Sequence, residues 1–396
     1  MKDDKKLELL LERFYNRFNQ YNTKVLEKLG ESIKKFDGVS PSVAHQIAQE
    51  LKYGTDINDL MVELSKLSGK SIKDIEEAFD LVAEENVAFA EVYAKAKNME
   101  FVNYKDNEQL KRLVKGIAGE TNATFKNLSK TRAIGFVLKD EYGKKTFKNL
   151  KDIYIDLIDE AVFNVETGVT DYQSAMRGVM NQLADSGVKV HEEKVGYPSG
   201  YNRRIDSSVR QNVLTGVRQV NLQVQKQVGR QYGADGIEIS AHSPCAEDHI
   251  FLQGKQYSNA EFKKLNASLE RPIGEYNCRH FVFSIVLGVN QPSYSDKMLN
   301  QMNRESQSII EYEGKKYTSY EATQVQRKLE TAIRKEKDRQ IIARASGDKD
   351  GVGMAQKNIT SLTYKYNDFS KKAGLDTYKN RLTVSGYRRI SVAKMK

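Results

Sequence analysis

Residues 205–233, IDSSVRQNVLTGVRQVNLQVQKQVGRQYG, carry a regular apolar pattern. The apolar residues recur every three or four positions, which is the spacing of one face of an α-helix. A helix of about seven turns with a single apolar stripe is therefore predicted. Gly233 is expected to follow its end, because glycine readily adopts the left-handed conformation found there. The stripe consists of Ile205, Val209, Val213, Val217, Val220, Val224 and Val228.

After this helix the pattern changes to that of short strands and loops. Residues 236–240 alternate apolar and polar side chains, and residues 281–287 form an apolar run, so both are predicted to be strands. Ser258 is followed three residues later by Glu261, a capping box that predicts the start of a short helix. These elements together predict a small α+β module.

The N-terminus is predicted to form a long helix that packs along its length on other helices. Its apolar residues follow one another at spacings of three and four, and Gly38 and Pro41 are expected to interrupt the pattern. The stripe consists of Leu7, Leu11, Phe14, Phe18, Tyr21, Val25, Leu29, Ile33 and Phe36.

Further helices are predicted between this segment and the module. A turn is expected at residues 67–70, and Ser71 with Asp74 resembles a capping box that would start a new helix. Residues 107–185 again favour helices, with interruptions at glycines.

The C-terminal quarter is also predicted to be helical. Thr318 and Glu321 form a capping box at the start of a long, highly charged helix. Residues 348–353, DKDGVG, are expected to be a flexible break before a final amphipathic segment.

The predicted fold is therefore mainly α, with long helices at both ends flanking a small central α+β module. The run YPSGY at residues 197–201 favours a turn and places a domain boundary nearby. Three regions are predicted: an N-terminal helical region (1–196), the module with a Cys/His cluster (197–298) and a basic helical C-terminal region (299–396).

Composition excludes several classes of protein. No apolar run reaches the roughly 18–20 residues that a membrane span requires. The N-terminal sequence MKDDKKLELLLERF carries acidic residues where a signal peptide would be basic and then apolar, so secretion by that route is not expected. Two cysteines cannot build a disulfide framework, which favours a reducing cytoplasm.

The positive charge is concentrated at the C-terminal end. Residues 301–396 contain 21 Lys and Arg against 11 Asp and Glu, and this excess of ten equals the net charge of the whole chain. One interpretation is contact with a polyanion such as double-stranded DNA through its phosphates. The other is a solvated helix surface, because acidic residues are interspersed and no basic-aromatic stacking pattern is present.

Most of the Cys and His residues fall in one stretch of the module. Zn²⁺ prefers four such ligands, and pairs on separate elements could supply them. The spacing departs from common zinc motifs, since there is no CxxC pair. The five residues are His242, Cys245, His249, Cys278 and His280.

Several roles remain open for this cluster. A structural metal site or a hydrogen-bonded polar knot would fasten the loop to the strand, with zinc as the candidate ion and no cofactor assured. A catalytic metal site could use Glu247 or Asp248 as base. A Cys–His nucleophile pair could use Cys278 or Cys245 activated by His249. The candidate metal ligands are His242, His249, Cys278 and His280.

The residues around this cluster resemble a known family. ISAH at 239–242, His249, QGKQYS at 253–258, NCRH at 277–280 and PSY at 292–294 are similar to the phage minor capsid protein 2 family, which is related to the Mu F-like head-morphogenesis proteins. The resemblance extends to residues 204–218, 320–337 and 369–375. The chain departs from the family pattern at Leu252 and at residues 245–247, so the resemblance assigns no role to Cys245.

The resemblance implies a minor head protein of a bacteriophage or prophage. A structural and assembly role at the portal vertex or in the capsid interior is expected, in head morphogenesis and in DNA packaging or ejection. The expected partners are the portal protein, the major capsid or other head proteins, further copies of the chain, and phage DNA contacted by residues 301–396. The virion and, during assembly, the host cytoplasm are the expected locations. The alternative is a metal-dependent hydrolase, a nuclease or peptidase, carried in the virion.

Overall fold

The computed structural model describes residues 4–53, 56–88, 90–96, 98–128, 133–140, 142–169, 171–194, 197–274 and 278–391. Long helices dominate, as predicted. The helices are α1 (Asp4–Lys34), α2 (Pro41–Tyr53), α3 (Asp56–Ala88), α4 (Glu91–Ala96), α5 (Glu108–Leu128), α6 (Leu150–Glu166), α7 (Tyr172–Ser186), α8 (Ile205–Gln231), α9 (Asn259–Ser268), α10 (Asp296–Gln307), α11 (Ser319–Ser346) and α12 (Lys349–Lys372). The strands are β1 (Ile134–Lys139), β2 (Lys145–Asn149), β3 (Lys189–Lys194), β4 (Tyr197–Arg204), β5 (Gly236–Ile239), β6 (Gln256–Ser258), β7 (Val282–Ile285), β8 (Ile309–Tyr312) and β9 (Lys315–Thr318).

Helix α8 lies at the centre of the molecule, against α1, α3, α5 and β7. All seven residues of its predicted stripe are buried, none with more than 4% of its surface exposed. Gly233 follows the helix end with φ +70°, as predicted. Gly216 lies where α8 meets α3 and α5, and a Cβ there would come within 2.2 Å of the Phe79 ring. A side chain at this position would force the helices apart.

Helix α1 packs on α8 and on α11, so the two ends of the chain meet around it. Its predicted stripe is buried from Leu11 to Phe36, and the helix ends before Gly38 as expected. The side chain of Leu7 lies outside the described residues. Four polar residues of α1 are buried as well, and each forms a hydrogen bond with another element: Asn19, Asn22, Thr23 and Ser32.

A buried ionic network joins α1, β4, α8 and α11. The guanidinium of Arg204 lies 2.5 Å from an oxygen of Asp338 and 3.2 Å from an oxygen of Asp206. Asn22 donates to Asp338 and accepts from the backbone of Val188. Asp206 and Asp338 are fully buried. Burial alone would raise the pKa of Asp206, but the positive charge of Arg204 lowers it below its usual range.

An antiparallel sheet of order β2-β1-β3-β4 places three strands, β1 to β3, in the N-terminal region 1–196, which was predicted to be helical. The prediction of helices throughout residues 107–185 was therefore wrong for β1 and β2. Gly135 explains part of this pairing, because a Cβ there would lie 1.9 Å from the carbonyl oxygen of Lys148. Residues 197–201, predicted as a boundary turn, belong to β4 and pair with β3.

The predicted turn and capping box near residues 67–74 were also wrong, because α3 continues through them. Ser71 donates to the carbonyl of Leu67 within the helix, and Arg17 of α1 donates to Ser71 at 2.7 Å. Arg17 also pairs with Asp74 at 2.5 Å. Ser71 and Asp74, which resemble a helix cap in the sequence, instead form tertiary contacts with Arg17 of α1.

The flexible break predicted at residues 348–353 was wrong too. Gly347 ends α11 with φ +87°, and Asp348 begins α12 by accepting from the backbone of Gly351. Arg177 of α7 binds both oxygens of Asp348 at 2.7 Å. A sharp corner between two helices, fixed by an ion pair, replaces the expected flexible segment.

The α+β module is confirmed. Its sheet has the order β6-β5-β7, and Ser258 with Glu261 forms the predicted capping box of α9. The backbone of β7 is bound by α8, because Asn221 accepts from Val282 and Gln225 accepts from Ser284. Asn221 and Gln225, which lie between the valines of α8, thus hydrogen-bond to the backbone of β7, the strand at the edge of this sheet.

The C-terminal helices α11 and α12 pack on each other, and α11 contacts α1 and α7. Ile341 and Ile342 belong to the same hydrophobic core as α1 and α8. The capping box of Thr318 and Glu321 is present. The regions 1–196, 197–298 and 299–396 therefore share packing, and their division into separate domains stays a prediction.

Replacement of Arg204 by Met is expected to lower the free energy of unfolding by about 3–5 kcal/mol, because it leaves two buried carboxylates without a counter-charge. Chemical denaturation measures this change. Lys148→Met is the matched control: it breaks the exposed Lys148–Asp156 pair and is expected to cost no more than about 1 kcal/mol. Equal effects of the two substitutions would show that the buried network does not hold the fold.

Candidate metal centre and adjoining cleft

The Cys/His cluster forms at one end of the module sheet. Ile239 of β5 pairs with Val282 of β7 in antiparallel register. Residues that follow β5 and residues that precede β7 are therefore neighbours. His242 and His249 follow β5, whereas Cys278 and His280 precede β7, so strand pairing alone brings the two halves of the motif together.

Three side chains converge on one point. Potential ligand atoms of His249, Cys278 and His280 all lie within 4.8 Å of one another. The Sγ of Cys278 is 3.3 Å from Nδ1 of His280 and 4.0 Å from Nδ1 of His249. All three residues are buried. Asn277, which precedes them in the motif, lies outside the described residues.

The remaining ring nitrogens are held by oxygen atoms. Nε2 of His249 lies 2.7 Å from the carbonyl oxygen of Arg271, and Nε2 of His280 lies 3.4 Å from Oε1 of Gln253. Gln253, from the QGK motif, also accepts from the backbone of His242. These contacts place a proton on Nε2 of both rings and leave Nδ1 free to bind an ion, the arrangement common around metal-bound histidines.

The electrostatics of two of the three groups, His280 and Cys278, suit ligation. Burial lowers the pKa of His280 to about 2, so its ring is neutral at neutral pH. Burial would raise the pKa of Cys278, but hydrogen bonds with His249 and with the backbone of Gly274 and His280 outweigh it and lower the pKa. Metal ligation requires neutral imidazole and a thiolate, the forms favoured at His280 and Cys278. Burial would lower the pKa of His249, but its contacts with Cys278 and with the carbonyl of Arg271 outweigh burial and raise it, so an ion bound there would displace a proton from this ring.

The other two candidates occupy different positions. The ring of His242 packs against the ring of His280 at 4.4 Å between centroids, and His242 is not among the three converging ligands. The Sγ of Cys245 is 3.7 Å from Nε2 of His280, on the side of the ring away from Cys278. Burial raises the pKa of Cys245 to about 12, which keeps its thiol protonated. The geometry therefore gives Cys245 no part in an ion bound at Nδ1.

The donor set fits zinc. Tetrahedral zinc with ordinary Zn–S and Zn–N bonds separates its sulfur and nitrogen ligands by about 3.5 Å, close to the two Cys278 distances. The two acidic candidates do not join it, because Asp248 is bound bidentately by Arg271 and Glu247 is exposed and is not among the converging ligands. The metal site with His249, Cys278 and His280, and His242 beside them, stays a prediction with this geometric support.

A cleft of about 810 Å³ adjoins the cluster. One wall is the module, including Arg279, and the other is formed by α10, α11 and the segment after α12. Tyr320, at the start of α11, accepts a hydrogen bond from Arg271 across the cleft. The cluster therefore lies at the junction between the module and the C-terminal helices.

A family model described as phage minor capsid protein 2 matches residues 3–371. The chain belongs to the phage minor capsid protein 2 family. No curated protein and no solved structure matches it. The resemblance carried by the motifs of the module is thus confirmed over nearly the whole chain. Membership of this family implies a structural role in a phage capsid, a location in the virion and association with other head proteins.

The fold explains several family-like motifs of this minor capsid protein. Arg204 and Asp206 form the buried network, and Gln253 orients His280. Sequence analysis missed both roles, because charge near a helix start and a glutamine in a loop are common on surfaces. None of the described helices has the length and apolarity needed to span a lipid bilayer.

Purified protein prepared with zinc is expected to retain about one zinc ion per chain. Three ligands converge, and hydrogen bonds with oxygen atoms orient the two histidine rings. Elemental analysis measures this content. Cys278→Ser is expected to lose the ion, and Cys245→Ser, the matched control, is expected to keep it. Retention of zinc by Cys278→Ser, or a wild-type protein without zinc, would contradict the metal assignment.

Proposed function

We propose that this minor capsid protein is a structural and assembly component of the phage head, located at the portal vertex or in the capsid interior. It acts there in head morphogenesis and in DNA packaging or ejection. The observation that carries the proposal is the family match over residues 3–371. The shared core supports a structural role, because the N-terminal and C-terminal helices pack into one body around α8.

The proposed partners are the portal protein, the major capsid or other head proteins, and further copies of the chain. Phage double-stranded DNA is the proposed polyanion for residues 301–396, which carry the whole net positive charge. Long helices offer extended surfaces for such contacts. The chain would assemble in the host cytoplasm and remain in the virion.

A metal-dependent hydrolase is the second candidate, and the three converging ligands at the cleft favour it. A catalytic zinc site keeps three protein ligands and one exchangeable position. We nevertheless propose no enzymatic activity, because of the two candidate bases Asp248 is engaged by Arg271 and Glu247 is exposed and is not among the converging ligands. Hydrolysis of DNA or peptide by zinc-loaded protein, lost in His249→Ala with the fold intact, would establish the second candidate.

The structural proposal is tested in purified phage heads. We expect mass spectrometry to find the protein in few copies per head, protected from added protease until the head is opened, and cross-linked to the portal protein. Its gene deletion is expected to reduce the yield of DNA-filled heads, and plasmid-borne wild-type protein should restore it. Absence from purified heads, or full sensitivity to protease in intact heads, would contradict the proposed location.

A deletion of residues 301–396 is unsuitable as a test of DNA contact, because Ile341 and Ile342 belong to the main core. Truncation would expose that core and unfold the protein. Substitutions of exposed basic residues leave the core intact, and they are therefore the appropriate variants.

A further inference from the structure

Two adjoining cavities form a continuous groove lined by arginines. The cleft beside the metal cluster has a volume of about 810 Å³, and a second cavity of about 340 Å³ lies between α1, α8 and α11. Arg327 and Arg381 line both cavities and so form their common wall. We call this surface the arginine groove and define it by Arg279, Arg304, Arg327 and Arg381.

The four guanidinium groups come from four separate parts of the fold. Arg279 lies between the two ligands of the NCRH motif, Arg304 on α10, Arg327 on α11 and Arg381 after α12. Among the described residues, none of the four forms an ion pair with a carboxylate. Arg271, by contrast, is neutralised by Asp248 within the same cleft.

The arginines are close enough to affect one another. The pKa of Arg327 is lowered, first because the surrounding protein displaces water and then because of the positive charges of Arg279, Arg381 and Arg210. Glu330 opposes this effect only in part. Like charges brought together in a folded protein cost free energy, and an anion bound between them removes that cost.

The walls of the groove hold few negative charges to offset these arginines. Glu305 and Asp376 line the larger cavity, and Glu12 and Glu330 line the smaller one. Eight arginines and no lysine line the two cavities together. The planar guanidinium matches two oxygens of a phosphate or a carboxylate, whereas lysine offers a point charge.

We propose that the arginine groove binds a chain of phosphate groups, as presented by the backbone of a nucleic acid. The continuity of two cavities through Arg327 and Arg381 fits an extended polyanion better than a single small anion. Tyr378 supports this function, because its ring lies 3.8 Å from the Arg381 guanidinium and holds it in place. The inference rests on the proposed contact with DNA and names the surface that makes it.

The test uses the full chain and measures fluorescence anisotropy with labelled oligonucleotides, single-stranded and duplex, over a range of salt concentrations. The groove variant is Arg304→Gln with Arg327→Gln, two positions whose side chains keep solvent-exposed surface, although the groove walls surround the Arg327 guanidinium. The matched control is Lys328→Gln with Lys357→Gln, which removes the same charge from exposed positions of α11 and α12 outside the groove. Thermal unfolding verifies that both variants keep the wild-type stability.

The groove variant is expected to bind DNA at least about tenfold more weakly, and the magnitude of its slope of log affinity against log salt should fall by about 1.4–1.8, since each of the two lost phosphate contacts contributes about 0.7–0.9. The control is expected to change affinity by less than about threefold. Equal losses in the two variants would overturn the groove proposal and leave a general charge effect, with the DNA contact intact.

Two further ligands separate the groove proposal from the proposed DNA contact. Binding of inorganic polyphosphate, weakened in the groove variant, without binding of DNA would refute the DNA contact and support the groove. Binding of neither ligand by the wild-type chain would overturn both. Poly-glutamate bound as tightly as DNA, and weakened by the same variant, would overturn phosphate recognition in favour of an acidic protein partner.

Discussion

The buried contact of Arg204 with Asp206 and Asp338 is the interaction on which the rest of the structure depends. It joins the start of the central helix α8 to α11, and Asn22 ties α1 to the same carboxylate of Asp338. Removing charges from water is costly, so such a network constrains the fold only when every member has a partner. Here each carboxylate has several partners, and the polar groups thereby specify how the two ends of the chain meet.

The position of the candidate site follows from the way in which the two ends of the chain pack together. The module is fastened to α8 by Asn221 and Gln225, while α11 is held against α1 by the Arg204 network. The cleft between the module and α11 is therefore a fixed feature of one body. The packing of the module and α11 on the shared core brings the arginines of the cleft close to the Cys/His cluster at its edge, although these residues come from distant parts of the sequence.

Periodicity predicted the long helices because burial of one face is a local property of the sequence. The stripes of α1 and α8 and the module strands could all be recognised in this way. The β1–β2 hairpin could not, because its pairing depends on Gly135 approaching Lys148 across the sheet. Ser71 and Asp348 led to wrong predictions for a related reason, since the same side chains that cap a helix or form a turn can bind a distant arginine.

The Cys/His cluster could be found from the composition of the sequence. Which of its members converge as potential metal ligands depends on the positions of the ring nitrogens, which only the structure shows. The arginine groove is assembled from four elements and has no sequence pattern.

Native-state hydrogen exchange tests the central claim, that the two ends of the chain form one body around α8. The account predicts that the core amides of α1, α8 and α11 exchange with a common opening free energy, and that Asp338→Asn lowers the protection of all three helices together. Exchange of α11 and α12 while α1 and α8 remain fully protected would contradict it, because the C-terminal helices would then be a separate unit attached to the surface.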